Sequence, residues 1–284
     1  MKIRVVKQSI ALTLVRLSVL VSIIFLFVFF ILIIAKGGKV LSLSFLTEAP
    51  REAMTKGGIF PAIIGTFYLT VVAISFAFPL GVLTSIYLTE YAKPAWLVST
   101  IRIAINTLAG VPSIVFGLFG LAVFVNIFGF GVSILSGSLT LGILILPIII
   151  NASEEAIKTV PKDFREASLS LGATKRQTIL KVVLPTALPN ILTGAIISVG
   201  RAAGETAPIL FTAATFYTRK LPKSISDEVM ALPYHIYALM TEGTNPKYQV
   251  PIAYGTAVVL LFLILIVNAV AIVIRYRARR KKKW

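Results

Sequence analysis

The chain has 284 residues, 57% hydrophobic and 14% charged, with no cysteine, one histidine and a formal charge of +17. A soluble domain of this length carries roughly a quarter charged residues, so the composition is that of a polytopic membrane protein. Without cysteine there are no disulfides, thiolate nucleophiles or Cys-ligated metals, and a lone His235 argues against a His-built metal site.

Lys2, Arg4, Lys7 and Arg16 precede an uncharged apolar run over 17–35. The run exceeds a signal-peptide core, and Ala35-Lys36 offers no cleavage site, so a retained first helix is expected. A polar stretch over 36–58 leads to uncharged residues over 59–88, opened by Pro61 and interrupted by Pro79 and Gly81. That is enough for a tilted or kinked span. The uncharged region 103–153 exceeds one crossing at roughly 20 residues each. Asn126, Gly129, Gly131 and Ser136-Gly137-Ser138 supply a turn, which places a third helix near 103–127 and a fourth near 133–152. Pro112 and Ser113 are expected to kink and cap the third. A fifth helix over 186–216 and a sixth over 251–274 complete the set. His235 reads as part of an amphipathic segment at the outer interface, without chemistry.

Six crossings put both termini on one face. That face carries nineteen Lys and Arg against eight on the other, so the positive-inside rule makes it cytoplasmic. The basic excess is thus an orientation signal, and no nucleic-acid partner is expected.

Between the fourth and fifth spans, residues 154–185 are punctuated as a helical hairpin. Pro161 stops the helix leaving the membrane, Asp163 with Glu166 has capping-box spacing, and Gly172 is placed to end the first arm. Thr174 with Gln177 restarts a second arm, which Pro185 ends. Punctuation alone leaves two readings open: a hairpin lying on the membrane surface, or an element that docks a partner.

Arg201 and Glu205 are the sole charged side chains over 182–218. On one helix 186–216, Arg201 lies about 22 Å from either end at about 1.5 Å per residue. That is near the bilayer centre, where an Arg costs about 2.5–3.5 kcal/mol. Separated by four, the two share a helix face. One reading is an ion pair that makes the helix tolerable in lipid. The other is a transient contact for a passing oxyanion, which the planar guanidinium fork suits. Gly200 and Gly204 have the spacing that admits a second backbone. Pro208 should weaken the helix just beyond and free a carbonyl. Thr206 could donate to an oxyanion or to a carbonyl of its own helix.

Two sets of residues carry a family resemblance. Glu166-Ala-Ser-x-x-x-Gly172, followed after nine residues by Val182-x-Leu184-Pro185, resembles the EAA signature of ABC-importer permeases, with Ser168 for the second Ala and Val182 for the usual Ile. Gly57-Gly-Ile-Phe-Pro-Ala-Ile-Ile-Gly-Thr66, Pro112-Ser-Ile-Val-Phe-Gly-Leu-Phe-Gly120 and Gly200-Arg-Ala-Ala-Gly-Glu-Thr-Ala-Pro-Ile209 look like the phosphate-importer permeases. Glu205-Thr-Ala-Pro208 and the modest loop after the first helix favour the PstA type over its PstC companion. The matches cover about residues 57–216.

The resemblance implies an all-α integral membrane protein of six transmembrane helices with the type I ABC-importer permease (MetI-like) fold. Residues 1–58 would hold the first helix and an outer loop, 59–274 the permease core with its coupling loop 154–185, and 275–284 a basic tail that meets anionic lipid. Coupling to the ATPase would fall to Phe164, Arg165, Glu166, Ala167, Ser168, Leu171 and Gly172. Arg201, Glu205 and Thr206 would line the substrate pathway, with Gly200, Gly204, Pro208 and Pro112 serving packing or kinks. Implied partners are a PstC-type companion permease, a dimer of ATP-binding subunits, a periplasmic phosphate-binding protein and membrane lipid. ATP and Mg would be used by the partner ATPase, and this chain would bind no cofactor. In keeping with that, no Gly-x-x-x-x-Gly-Lys-[Ser/Thr] loop and no nucleophile elbow occurs. Two alternatives stay open: a permease for another oxyanion or small solute, and an ion-coupled carrier with Glu205 as a proton site.

Overall fold

The structure, a computed structural model, describes residues 2–280. The first helix, α1 (Lys2–Gly37), leads through a 3-10 turn to a short α2 (Leu43–Thr47) and an antiparallel hairpin of β1 (Pro50–Arg51) and β2 (Lys56–Gly57). The hairpin tip, Glu52, Ala53 and Met54, runs at positive φ, a conformation that costs non-glycine residues free energy. Tertiary contacts hold it: Met54 is buried, and Gln249 Nε2 donates to the Ala53 carbonyl at 2.9 Å.

The second span, α3 (Phe60–Ile86), places Pro61 in its first turn, where a missing N–H costs nothing. It continues through Pro79 into a π turn, Tyr87–Tyr91. Next come α4 (Ala95–Ala109) and α5 (Ser113–Gly120), the latter prolonged by a π-helical segment Leu121–Ile127. The two halves meet at 99°, so the single third helix expected over 103–127 is a broken one. Pro112, with φ −57° and ψ 139°, has no N–H to continue the ladder of α4. No side chain caps α5, so the capping expected of Ser113 is not realised.

The fourth span, α6 (Ile134–Lys158), is capped by Ser133, whose Oγ accepts from the Ser136 N–H. It is the central post of the bundle, with α3 laid along it. Small residues set that approach: a Cβ on Gly81 would stand 2.5 Å from Ile149 Cγ2. Leu69 and Ala73 of α3 and Ile134 and Leu141 of α6 share one buried cluster with Ile209 and Tyr234.

A hairpin follows, α7 (Lys162–Ser170) and α8 (Lys175–Thr178), and a π turn Ile179–Val183 carries α8 directly into α9 (Leu184–Gly204). Pro185 therefore does not end the second arm as expected. The Leu184 N–H reaches back five residues to the Ile179 carbonyl, and Pro185 falls in the first turn of α9, where its missing donor is tolerated.

The fifth helix expected over 186–216 is also two pieces. The first stops at Gly204, and α10 (Ala207–Leu210) begins a new one. In a continuous helix the ring of Pro208 would clash with the Gly204 carbonyl and leave it without a donor. Pro208 sits instead in the first turn of α10. A coil, α11 (Leu232–Thr241) and α12 (Pro246–Arg280) complete the chain. Residues 281–284 of the expected basic tail lie outside the described residues.

Among the described residues, five helices are long and apolar enough to cross a membrane, or six with the bent α4–α5 pair counted as one span. The first of them packs on α12, where a Cβ on Gly37 would lie 2.5 Å from the Tyr254 carbonyl.

Candidate functional site

The end of α9 lies inside the bundle. Gly200 faces a groove with Thr70 and Ile74 of α3 and with Leu263 and Val267 of α12, positions near the middle of those spans. Arg201 thus keeps the mid-span depth expected of it, three residues before a helix terminus and not at a helix centre. Its Nε lies 3.2 Å from Glu205 Oε1, and the two side chains are 39% and 18% exposed. The pair is open to the surroundings of the chain on the face shared with Ile197 and Gly204.

The terminus shapes the electrostatics. The last carbonyls of α9 give a partial negative charge that favours Arg201 and disfavours an anion. Glu205, at the C-cap with extended backbone, adds a full negative charge. Arg201 is therefore a cation balanced by its own neighbourhood. An anion can meet its fork without being held tightly.

Behind the pair, Ala202, Ala203 and Glu205 face Thr66, Leu69 and Thr70 of α3 and Leu141 of α6. Thr66 Oγ1 accepts from the Leu232 N–H at 2.8 Å and donates to the Ala62 carbonyl at 2.8 Å. It ties the first turn of α11 to the wall of the site. Thr66 ends one of the family-like strings, but sequence alone assigned it no role.

Other expected residues fall differently. Among the described residues, Gly200 and Gly204 meet no second backbone closely: a Cβ on either would have side-chain atoms of Ile264 and Asn268 as its nearest neighbours, at 3.7 to 4.0 Å. Close backbone approach occurs instead at Gly117, where a Cβ would lie 2.7 Å from the Ala207 carbonyl. That contact seats α5 on α10, beside the break. Thr206 is the N-cap of α10 but its hydroxyl makes no capping bond. Pro112 stands at the α4–α5 bend, where Val111 and Phe116 share a cluster with Ala202. His235 does not lie on an exposed face of its helix. It is 2% exposed in α11, and burial lowers its pKa to about 4.

The hairpin is the second feature. Gly172, at φ +81°, ends α7 in a Schellman arrangement: its N–H bonds the Leu169 carbonyl at 2.9 Å and the Ala173 N–H bonds the Ser168 carbonyl at 3.2 Å. Thr174 and Gln177 form the expected capping box of α8. Asp163 and Glu166 do not form one, because Pro161 occupies the N-cap and has no side-chain acceptor. Ser168 and Thr178 join the arms through their hydroxyls at 2.9 Å. Phe164, Ala167, Ser168 and Leu171 line a shallow groove with Val182 and Pro185, and Leu171 is 88% exposed. Glu166 lies instead in a polar cleft with Arg102, Lys158 and Lys162. Arg165 is turned inward onto Glu90 of the π turn after α3, 2.9 Å away.

Apolar spans around a broken helix, an ion pair at the break and a capped surface hairpin are the features of a polytopic membrane protein. Residues 77–283 match the model of the binding-protein-dependent transport system inner membrane component family, and the chain belongs to that family. The fold is the type I importer permease (MetI-like) fold. Over 250 residues, 84% of this chain and 85% of the relative, it is 36% identical to the probable ABC transporter permease protein YqgI of Bacillus subtilis. It is 35% identical to the phosphate transport system permease protein PstA 1 of Mycobacterium tuberculosis, covering 99% of this chain and 91% of that one. The probable phosphate transport system permease protein PstA of Methanocaldococcus jannaschii is 34% identical, over 96% and 94%. Among solved structures, an inward-facing MetNI methionine ABC transporter aligns with a TM-score of 0.58 at 21% identity, covering 78% of this chain and 94% of that chain.

Proposed function

We propose that the chain is the permease subunit that forms one half of a pathway for inorganic phosphate in an ATP-driven importer. The relatives named as phosphate permeases match it nearly end to end, which supports the substrate. The observation that carries the mechanism is the position of Arg201. It is a half-exposed guanidinium at a helix end in mid-bundle, countered by Glu205.

In this reading a companion permease of the PstC type covers the open Arg201 face, and phosphate passes between the two subunits. Arg201 meets the phosphate oxygens through its fork; Glu205 reclaims the guanidinium when the anion leaves. A conducting site must release what it binds, and the carbonyl end of α9 with Glu205 favours release. One guanidinium cannot separate phosphate from sulfate by charge, so selection belongs to a periplasmic binding protein on the outer loops.

The hairpin faces the cytoplasm, with both termini, and a dimer of ATP-binding subunits docks on its exposed Phe164, Leu169 and Leu171. The second arm is continuous with α9, whose far end bears Arg201, over Lys175–Gly204. ATP binding moves the hairpin and tilts that helix; hydrolysis by the partner, with Mg, resets it.

The test is co-purification in mild detergent followed by reconstitution into vesicles. ATP-dependent phosphate uptake that needs the companion permease, the ATPase and the binding protein is the expected result. Uptake by this chain alone on an ion gradient would make it a secondary carrier and overturn the reading.

A further inference from the structure

Glu90 occupies an unfavourable place for a carboxylate. It lies in the π turn Tyr87–Tyr91 at the C-terminus of α3, where the carbonyl ends already carry negative charge. Each arm of the hairpin brings a cation to this residue, the first to its carboxylate and the second to its backbone carbonyl. From α7, Arg165 Nε and Nη2 donate to Glu90 Oε1 at 3.1 and 2.9 Å. The same guanidinium donates to the Val160 carbonyl at 2.6 Å and the Ile157 carbonyl at 3.0 Å, at the end of α6. From α8, Lys175 Nζ donates to the Glu90 carbonyl and stands 4.8 Å over the Tyr91 ring. The Arg165 and Glu90 side chains are 21% and 12% exposed, so the pair is screened less than a surface one.

We propose that the Glu90 carboxylate is the latch by which the hairpin, through Arg165 of its first arm, grips the end of α3, making Glu90 a positioning residue for transport. The proposal rests on the importer reading above. Two helices run from the hairpin to the Arg201 site. The first is α9, which is continuous with the second arm and ends at Arg201 and Glu205. The second is α3, which bears Glu90 at one end and, nearer the other, Thr66 and Thr70 against Ala202, Ala203 and Glu205. A push on the hairpin reaches α9 through the chain itself, with the widened turn Ile179–Val183 between them. It reaches α3 through Glu90. With the latch closed the two walls of the site move as one body; with it open, α9 moves and α3 lags, and ATP is consumed without passage.

The chain has no cysteine, which allows a covalent test in the full reconstituted importer. Glu90→Gln should leave assembly and ATP hydrolysis in place and lower phosphate uptake per ATP about tenfold, the scale of an ordinary coupling energy. A Glu90→Cys/Arg165→Cys variant should be uncoupled when reduced and recover on bridging with a short bifunctional thiol reagent. A merely structural contact would lower hydrolysis and uptake together and show no recovery on bridging. Either that result or normal uptake per ATP in Glu90→Gln overturns the latch while leaving the importer reading intact. Absence of ATP-driven uptake by the unsubstituted complex overturns both.

Discussion

Arg201 Nε lies 3.2 Å from Glu205 Oε1 across the end of α9, so the cation and its counter-charge belong to the same break in the helix. Arg before Glu is the weaker order for a pair four apart on a regular helix. Here the backbone turns extended at Glu205 and the usual geometry no longer applies. In the proposed pathway the pair serves as one anion-contact point with a built-in competitor.

Removing the competitor should tighten the site. Glu205→Gln leaves Arg201 unbalanced, so the importer should retain phosphate through washing and turn over about tenfold more slowly, the effect of about 1.4 kcal/mol. Labelled phosphate bound to the washed complex, measured with the uptake rate, checks this. Faster uptake with no retention would mean that Glu205 does not compete with the anion.

The wall behind the pair depends on Gly65. A Cβ there would stand 2.0 Å from the Met230 carbonyl oxygen, a backbone atom that no rotamer change can move. Gly65→Ala should destabilise the chain by about 1–3 kcal/mol through overpacking, read as a lowered Tm in detergent. Gly38→Ala, which meets nothing within 4 Å, is the control and should leave Tm unchanged.

Thr66→Val keeps the shape and deletes the hydroxyl. The Leu232 N–H then loses its acceptor in a buried setting, a cost of about 1–3 kcal/mol. Thermal unfolding should show the loss. Hydrogen exchange should show the first turn of α11 opening before the rest.

What was legible in sequence followed the range of the interactions. The apolar runs marked the spans because lipid forces every span to be apolar and helical. The Thr174–Gln177 box and the Gly172 stop were legible because caps are local. Asp163 and Glu166 had capping spacing too, but Pro161 already held the N-cap. The break after Gly204 was signalled by Pro208 and masked by composition that stays apolar beyond it. Glu90 and Thr66 gave no such signal. Their partners lie 75 and 166 residues away, and only packing brings them together.

His235 sets an acid limit. Its pKa falls from 6.5 to about 4 because it is buried, so the folded state binds fewer protons than the unfolded state between those values. The contribution of His235 to stability is full above pH 6.5 and declines as pH falls toward 4, by up to about 1.4 kcal/mol per unit. His235→Leu should flatten that limb of the unfolding curve measured from pH 7 to 4. An unchanged slope would place the acid sensitivity elsewhere.

The most direct measurement is ATP-driven phosphate uptake by the reconstituted importer carrying Arg201→Gln. With the guanidinium gone and a shorter, neutral amide in its place, uptake should vanish while the complex still assembles and hydrolyses ATP. Uptake at the unsubstituted rate would contradict the account: Arg201 would then serve packing alone, and phosphate would take a route that does not pass it.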